Sequence, residues 1–229
     1  MGQESWIVNQ NESLAVSTKA EIGVISTFKF SLVNADLQVN YAQVDEASIL
    51  LETKSEKPVV VHHRDQELFI GYEYEGLDNL TGRTKDLRAR EEIKLILTLP
   101  TGTKISGTSI CGVINLSECQ NAELRTISAA INLASPSGRI EVSSINGPIN
   151  VELQEAKTAN LNLKTISSLI FLQAKPEVNI DLKAKTITGK IVVDGQALGS
   201  GKKHHSDAQA LVFANAASIS GRVVLTHNG

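Results

Sequence analysis

The sequence predicts an all-β chain, read as a single-stranded β-solenoid or β-helix-like stack of about 20-residue repeats behind a less regular β segment. Three observations predict it. Six segments align without gaps: SICGVINL from Ser109, TISAAINL from Thr126, SINGPINV from Ser144, TISSLIFL from Thr165, TITGKIVV from Thr186 and SISGRVVL from Ser218. Their second-position isoleucines, Ile110, Ile127, Ile145, Ile166, Ile187 and Ile219, recur at intervals of 17, 18, 21, 21 and 32 residues. Within each copy the aliphatics are two or four apart, as in Ile110, Ile114 and Leu116, the period of a strand with one buried face. No segment of the chain carries a helical stripe.

Residues 1–100 lack the motif but read as β. Runs such as VISTFKFSLV, DLQVNYA, SILLET, VVVHH, LFIGYEY and IKLILTLP alternate or cluster apolar residues between turn signals. They are expected to form irregular first coils or a cap over the open end of the stack. The stretch Gly76 to Glu92, which mixes both charges, reads as a solvated loop.

Residues 101–229 read as the repeat domain. Each copy is expected to point three aliphatics inward, Ile110, Ile114 and Leu116 in the first. Upstream of most copies lies a second apolar alternation: Leu124, Ile140 with Val142, Leu161 with Leu163, Ile180 with Leu182, and Leu211 with Phe213. Each unit therefore offers two strands that meet at the Ser/Thr-Ile step, where burial changes parity and the chain turns. The column Gly112, Ala129, Gly147, Ser168, Gly189 and Gly221 reads as a place where coils approach closely or bend. Pro148 cannot sit inside a strand paired on both sides, so either the step after glycine is the corner or that coil carries a bulge. Outward Leu169, Phe171, Val192 and Val224 form an apolar strip, either covered by the N-terminal part, the simpler reading, or used for association. The segment 195–209, rich in Gly, Ser and charge, reads as a loop insertion projecting from one side of the stack.

The join LILTLPTGTKISGTSICGVINL, from Leu95 to Leu116, followed by units such as SINGPINV and SISGRVVL, resembles the bacterial putative adhesin family of β-repeat domains of unknown function. The family's lead-in is matched at Leu99, Pro100 and Gly102, and its Ser-Gly-x-Ile core best in SISGRVVL. The resemblance covers roughly residues 95–229. The acid that often follows the family's glycine is absent: those positions are Val113, Ala130, Pro148, Leu169, Lys190 and Arg222. The resemblance implies an interaction or structural role and transfers no catalytic residue.

Composition narrows the function. Twenty-two basic against 25 acidic residues leave a formal net charge of −3, and nine aromatics (five Phe, three Tyr, one Trp) leave few stacking platforms, so nucleic acid is not an expected partner. Cys111 and Cys119 are too few for a disulfide framework and read as structural or bystander thiols. Neither a signal-peptide pattern nor a run of about 18 apolar residues is present, so the visible sequence is expected to be cytoplasmic without membrane insertion; on a trimmed chain a cell-surface location stays open.

Candidate chemistry is sparse. His62 and His63 are adjacent in a strand and point to opposite faces. His204, His205 and Asp207 could curl around a divalent metal if 195–209 is a loop, although a solvated basic loop is the simpler reading. No cofactor motif occurs. The expected function is a non-catalytic, adhesin-like structural or interaction protein that presents surfaces or loops to a protein or glycan. Two alternatives stand beside it. One is a scaffold that polymerises end to end through its apolar final strand, Val223 to Leu225, by self-association; the other is a polysaccharide-active β-helix enzyme, which needs acids near a base on one face.

Overall fold

A computed structural model describes residues 4–8, 16–53, 59–72, 92–206 and 209–228. Among these residues there is no helix, and all strands belong to one continuous 18-stranded sheet. Its backbone is a set of parallel ladders. Strand β8 (Lys104–Ser117) is long and bent; its first half pairs with β9 (Asn121–Thr126) and its second half with β10 (Ala130–Ala134). From there two rows run side by side. One continues through β11 (Gly138–Ser144) and β13 (Ala159–Thr165), the other through β12 (Ile149–Leu153) and β14 (Ile170–Ala174), every pairing parallel. Inward residues of equivalent coils stack without slippage: Ile114 on Ile131, Ile149 and Ile170, and Leu116 on Leu133, Val151 and Leu172. Both rows turn these side chains into a single buried cluster, the aliphatic core that the two-residue period predicts.

The N-terminal strands extend the same rows. Strand β3 (Thr27–Ala42) lies parallel on β8 from Thr27 opposite Lys104 to Asn40 opposite Ser117, so the ladders cross residue 100 without a break. Strands β6 (Glu67–Tyr72) and β7 (Ile93–Pro100) each lie parallel on one half of β3. Beyond them the direction reverses. Strands β5 (Val59–Arg64) and β1 (Glu4–Val8) close one row, and β4 (Ser48–Thr53) and β2 (Val16–Glu21) the other, all antiparallel. Of the stretch expected as a charged loop, Gly76 to Glu91 lies outside the described residues. The β5–β6 hairpin turns on Asp65 and Gln66, both left-handed at φ 49° and 64°. A two-residue turn of this kind favours glycine at its second position. Gln66→Gly is therefore expected to raise stability by about 0.5–1 kcal/mol in chemical denaturation.

At the other end the spatial order departs from the chain order. After β14 the chain skips one position to form β15 (Ile180–Val193), doubles back antiparallel as β16 (Gln196–Ser206), and then fills the gap with β17 (Val212–Ser218) and β18 (Val223–His227). β17 lies between β13 and β15, and β18 between β14 and β15. Two expectations fall here. Residues 196–206 are an edge strand of the sheet, not a projecting loop, because Asp194 and Gly195, both left-handed at φ 47° and 78°, form a tight two-residue hairpin turn. Val223 to Leu225 is no terminal edge: it is paired on both sides, which removes the motive for end-to-end growth through it. The exposed edge is β16, whose glycines, lysines and histidines suit water.

The corner between the rows also differs from expectation. The second-position isoleucines do not point inward: Ile127, Ile145, Ile166, Ile219 and Ile187 are 38–62% exposed, and Ile110 is half-buried. The inward place belongs to the preceding residue, so Ser109, Thr126, Ser144, Thr165, Thr186 and Ser218 are all buried. The reason is hydrogen bonding at the turn. Ser144 Oγ accepts from Gly147 N at 2.8 Å, Ser218 Oγ from Gly221 N at 2.8 Å, and Thr186 Oγ1 donates to Gly189 O at 3.1 Å, services an isoleucine cannot perform. Each coil thus contributes two motif aliphatics to the core instead of three. Parity is also reversed in the last coil, where Leu211 and Phe213 are exposed while Val212, Ala214 and Ala216 pack inward, because Ser218 stands opposite Thr165 and fixes the count. Pro148 sits at the corner just before β12, with its carbonyl accepting from Ile131 N at 2.9 Å. The strip of Leu169, Phe171, Val192 and Val224 is half-buried, and the N-terminal strands that were expected to cover it stack at the opposite end.

Candidate functional site

Alternation along three neighbouring strands places a set of cations on the outer face of the first row. Outward residues of β13 are Asn160, Asn162 and Lys164; of β17, Phe213, Asn215 and Ala217; of β15, Asp181, Lys183 and Lys185. The edge strand β16 adds His204 opposite Lys183 and Lys202 opposite Lys185. Ala217 stands between Lys164 and Lys185, so a short side chain is flanked by two long ones and the surface sinks into an open groove of about 500 Å3. Its walls carry Lys164, Lys183, Lys185, Lys202, Lys203 and His204, with the amides of Asn162 and Asn215 beside them. None of these five lysines makes a hydrogen bond or ion pair with a described residue. Strands lie about 4.8 Å apart, so Lys185 and Lys202 set two ammonium groups near one another with no acid between them.

The histidines predicted as metal candidates do not converge. Adjacent positions of β16 send His204 and His205 to opposite faces, and Asp207 lies outside the described residues. His204 is exposed and its Nε2 lies 2.9 Å from Asp181 Oδ1. The ring of His205 is half-buried, its centroid 6.4 Å from that of His227. His227 in turn binds the hairpin: its backbone N–H donates to Asp194 Oδ1 at 2.8 Å, and its Nδ1 lies 3.1 Å from the same carboxylate. Burial disfavours charge on Asp194, but these hydrogen bonds and the imidazoles of His227 and His205 together hold its carboxyl below the ordinary aspartate value. Among the described residues no group of three His, Cys, Asp or Glu side chains could hold a metal ion. His62 and His63 are on β5, with His62 stacked on Phe69 at 6.3 Å.

The thiols are structural in placement. Cys119 is fully buried, and that burial pushes its pKa up to about 12, which removes the reactive thiolate. Half-buried Cys111 points its Sγ at Val33 O, 3.2 Å away, and neither cysteine is part of a disulfide.

A second, smaller groove of about 350 Å3 runs past Glu123 and Glu141, which are ladder neighbours. This is where paired carboxylates for glycoside hydrolysis would be sought. Each is instead engaged by an arginine two residues along its own strand, Glu123 by Arg125 at 2.9 Å and Glu141 by Arg139 Nε at 2.7 Å. The result is a surface ion-pair network.

The lysine groove was not found from sequence. A net charge of −3 describes the whole chain and is silent about segregation, and Lys183 and Lys185 are remote in sequence from Lys202 and Lys164. One local signal was available: Asp194-Gly195 between alternating residues marks a hairpin, and folding it brings the Lys202 end of β16 back onto Lys185.

No family model matches the chain, and no curated protein does. Among solved structures, a putative cell adhesion protein from Clostridium sporogenes ATCC 15579 matches with a TM-score of 0.50 at 10% identity, over 94% of this chain and 100% of that one. A putative adhesin from Bacteroides fragilis NCTC 9343 gives a TM-score of 0.47 at 12% identity, over 93% and 98%. The first likeness extends over nearly the whole chain and concerns the fold alone, which is all-β. Among the described residues no helix is long and apolar enough to cross a membrane.

Proposed function

We propose that this chain is a non-catalytic β-solenoid interaction module of adhesin-like type, and that its lysine groove holds an anionic glycan. The solenoid reading is supported by the unslipped stacking of equivalent coils in both rows. The name of the first structural neighbour, a putative cell adhesion protein, agrees with an interaction role. One observation carries the ligand: Lys164, Lys183, Lys185 and Lys202 face outward on β13, β15 and β16 around the short side chain of Ala217, without acidic partners among the described residues. Asn162 and Asn215 offer amide donors and acceptors for sugar hydroxyls, and Phe213, 45% exposed and two residues before Asn215, offers a face for a sugar ring. A single aromatic is a poor platform for successive bases, which favours glycan over single-stranded nucleic acid. Among the described residues the groove's titratable groups are the lysines and His204, already beside Asp181, an arrangement that favours holding a polymer over cleaving it.

Titration calorimetry with heparin and with polygalacturonate tests this, one probe bearing sulfates and the other carboxylates. The triple variant Lys183→Ser/Lys185→Ser/Lys202→Ser is expected to weaken binding at least about tenfold, and added salt to weaken the wild type. All three side chains are exposed, so the melting temperature is expected to hold. Wild-type protein that binds neither polysaccharide, or a variant of unchanged affinity, overturns the assignment, as does tighter binding to single-stranded DNA.

A further inference from the structure

The corner opposite the core carries a second surface. Ile127, Ile145, Ile166, Ile219 and Ile187 are five of the nine large hydrophobics exposed among the described residues. They are not scattered but form one column, one per coil. Backbone hydrogen bonds join the last four in that order, Ile166 N to Ile145 O, Ile219 N to Ile166 O and Ile187 N to Ile219 O, at 3.1–3.2 Å, and Ile145 N donates to Thr126 O beside Ile127 at 3.2 Å. At about 4.8 Å per rung the ridge is about 19 Å long. Its margins are basic. On one side the neighbouring outward positions include Arg125, Lys164 and Lys185, and on the other lie exposed Lys190 and Arg222. No acid occurs in the corner segments themselves, which read ISAA, INGP, ISSL, ISGR and ITGK.

We infer that this isoleucine ridge is a docking edge for an anionic lipid surface. A convex edge one side chain wide suits a bilayer better than a protein. A protein partner would need a matching groove, and five half-exposed side chains fall short of the roughly 800 Å2 per partner of a stable interface. The headgroup region of a bilayer conforms to any small apolar ridge, and flanking cations add attraction to anionic lipids. Lys190 and Arg222 supply that charge from outside the lysine groove, so the two surfaces can be separated by mutation.

Cosedimentation with vesicles of phosphatidylcholine alone, and with roughly one-third phosphatidylserine, tests the ridge. The wild type is expected to bind the serine-containing vesicles and to bind the neutral ones at least tenfold less. Ile127→Ser/Ile145→Ser/Ile166→Ser is expected to abolish binding, with thermal melting confirming that the variant folds. Lys190→Ser/Arg222→Ser is expected to weaken binding severalfold and flatten its salt dependence, a readout that stands if the isoleucine variant fails to fold. Absence of vesicle binding, or binding retained by the isoleucine variant, overturns the inference. So does binding lost only in the Lys183/Lys185/Lys202 variant, which would assign it to the groove. Concentration-dependent dimers that the isoleucine variant abolishes, without vesicle binding, would make a second copy the occupant instead.

Discussion

Leu225→Ala is expected to cost about 3 kcal/mol or more in chemical denaturation, against less than about 1 kcal/mol for Leu198→Ala. In chain order Leu225 lies almost at the end, where a sequential stack would place an edge strand tolerant of truncation. The structure instead gives it zero exposure and two parallel neighbours, Leu172 of β14 and Val193 of β15. Removing its side chain leaves a cavity between coils that backbone hydrogen bonds hold in place, so the site collapses poorly and the cost exceeds simple transfer. Leu198 precedes it by 27 positions yet sits on β16, the outermost strand, where it is only partly buried against the core. A small effect at Leu225 with a large one at Leu198 would mean that the coils stack in chain order and that β15 and β16 lie inside them.

That contrast marks how far the sequence can be read. Within a coil the reading is good, because each inward residue is specified by its own alternation: Ile114, Ile131, Ile149 and Ile170 are all fully buried in one stack. The glycine column, read as a close approach between coils, is one: a Cβ on Gly147 would meet Ala129 O at 1.9 Å. Two kinds of information are not local and were missed. The order of coils depends on which edge meets which, and quasi-identical units such as TITGKIVV and SISGRVVL can occupy either of two adjacent rungs. The inward residue at the corner depends on backbone donors that the turn would otherwise orphan, so buried Ser and Thr displace isoleucine against the hydropathy ranking. The lysine groove inherits the first difficulty. Lys164 and Lys185 flank a common groove because β17 lies between their strands, an arrangement that pattern alone does not reveal. What the sequence did indicate about function, an interaction role implied by a family resemblance, carried no residues with it.

Gly221→Ala is expected to be a severely damaging single-methyl change, at about 3 kcal/mol or more. Gly221 has no unusual φ, so its requirement is one of space and not of backbone freedom. A Cβ there would stand 1.7 Å from Ser168 O and 2.6 Å from Ser218 Oγ. Neither neighbour can retreat cheaply, since Ser218 Oγ accepts from Gly221 N at 2.8 Å and the corner of the preceding coil is fixed by Ser168 N donating to Thr165 Oγ1. Room for the methyl must come from separating two coils, and β17 and β18 are each paired on both flanks, so the strain reaches β13, β14 and β15. Up to Gly221, corner residues that carry a side chain alternate with glycine in space, Ala129 facing Gly147 and Ser168 facing Gly221, and the last step sets Gly189 against Gly221. The adjacent Ser220→Ala is the control. Ser220 is exposed and its hydroxyl makes one 3.3 Å bond to Ile166 O, so its loss is expected to cost less than about 1 kcal/mol. If Gly221→Ala proves as mild as Ser220→Ala, the coils are not in contact at this column, and the isoleucine ridge that depends on their spacing would lose its regular rise.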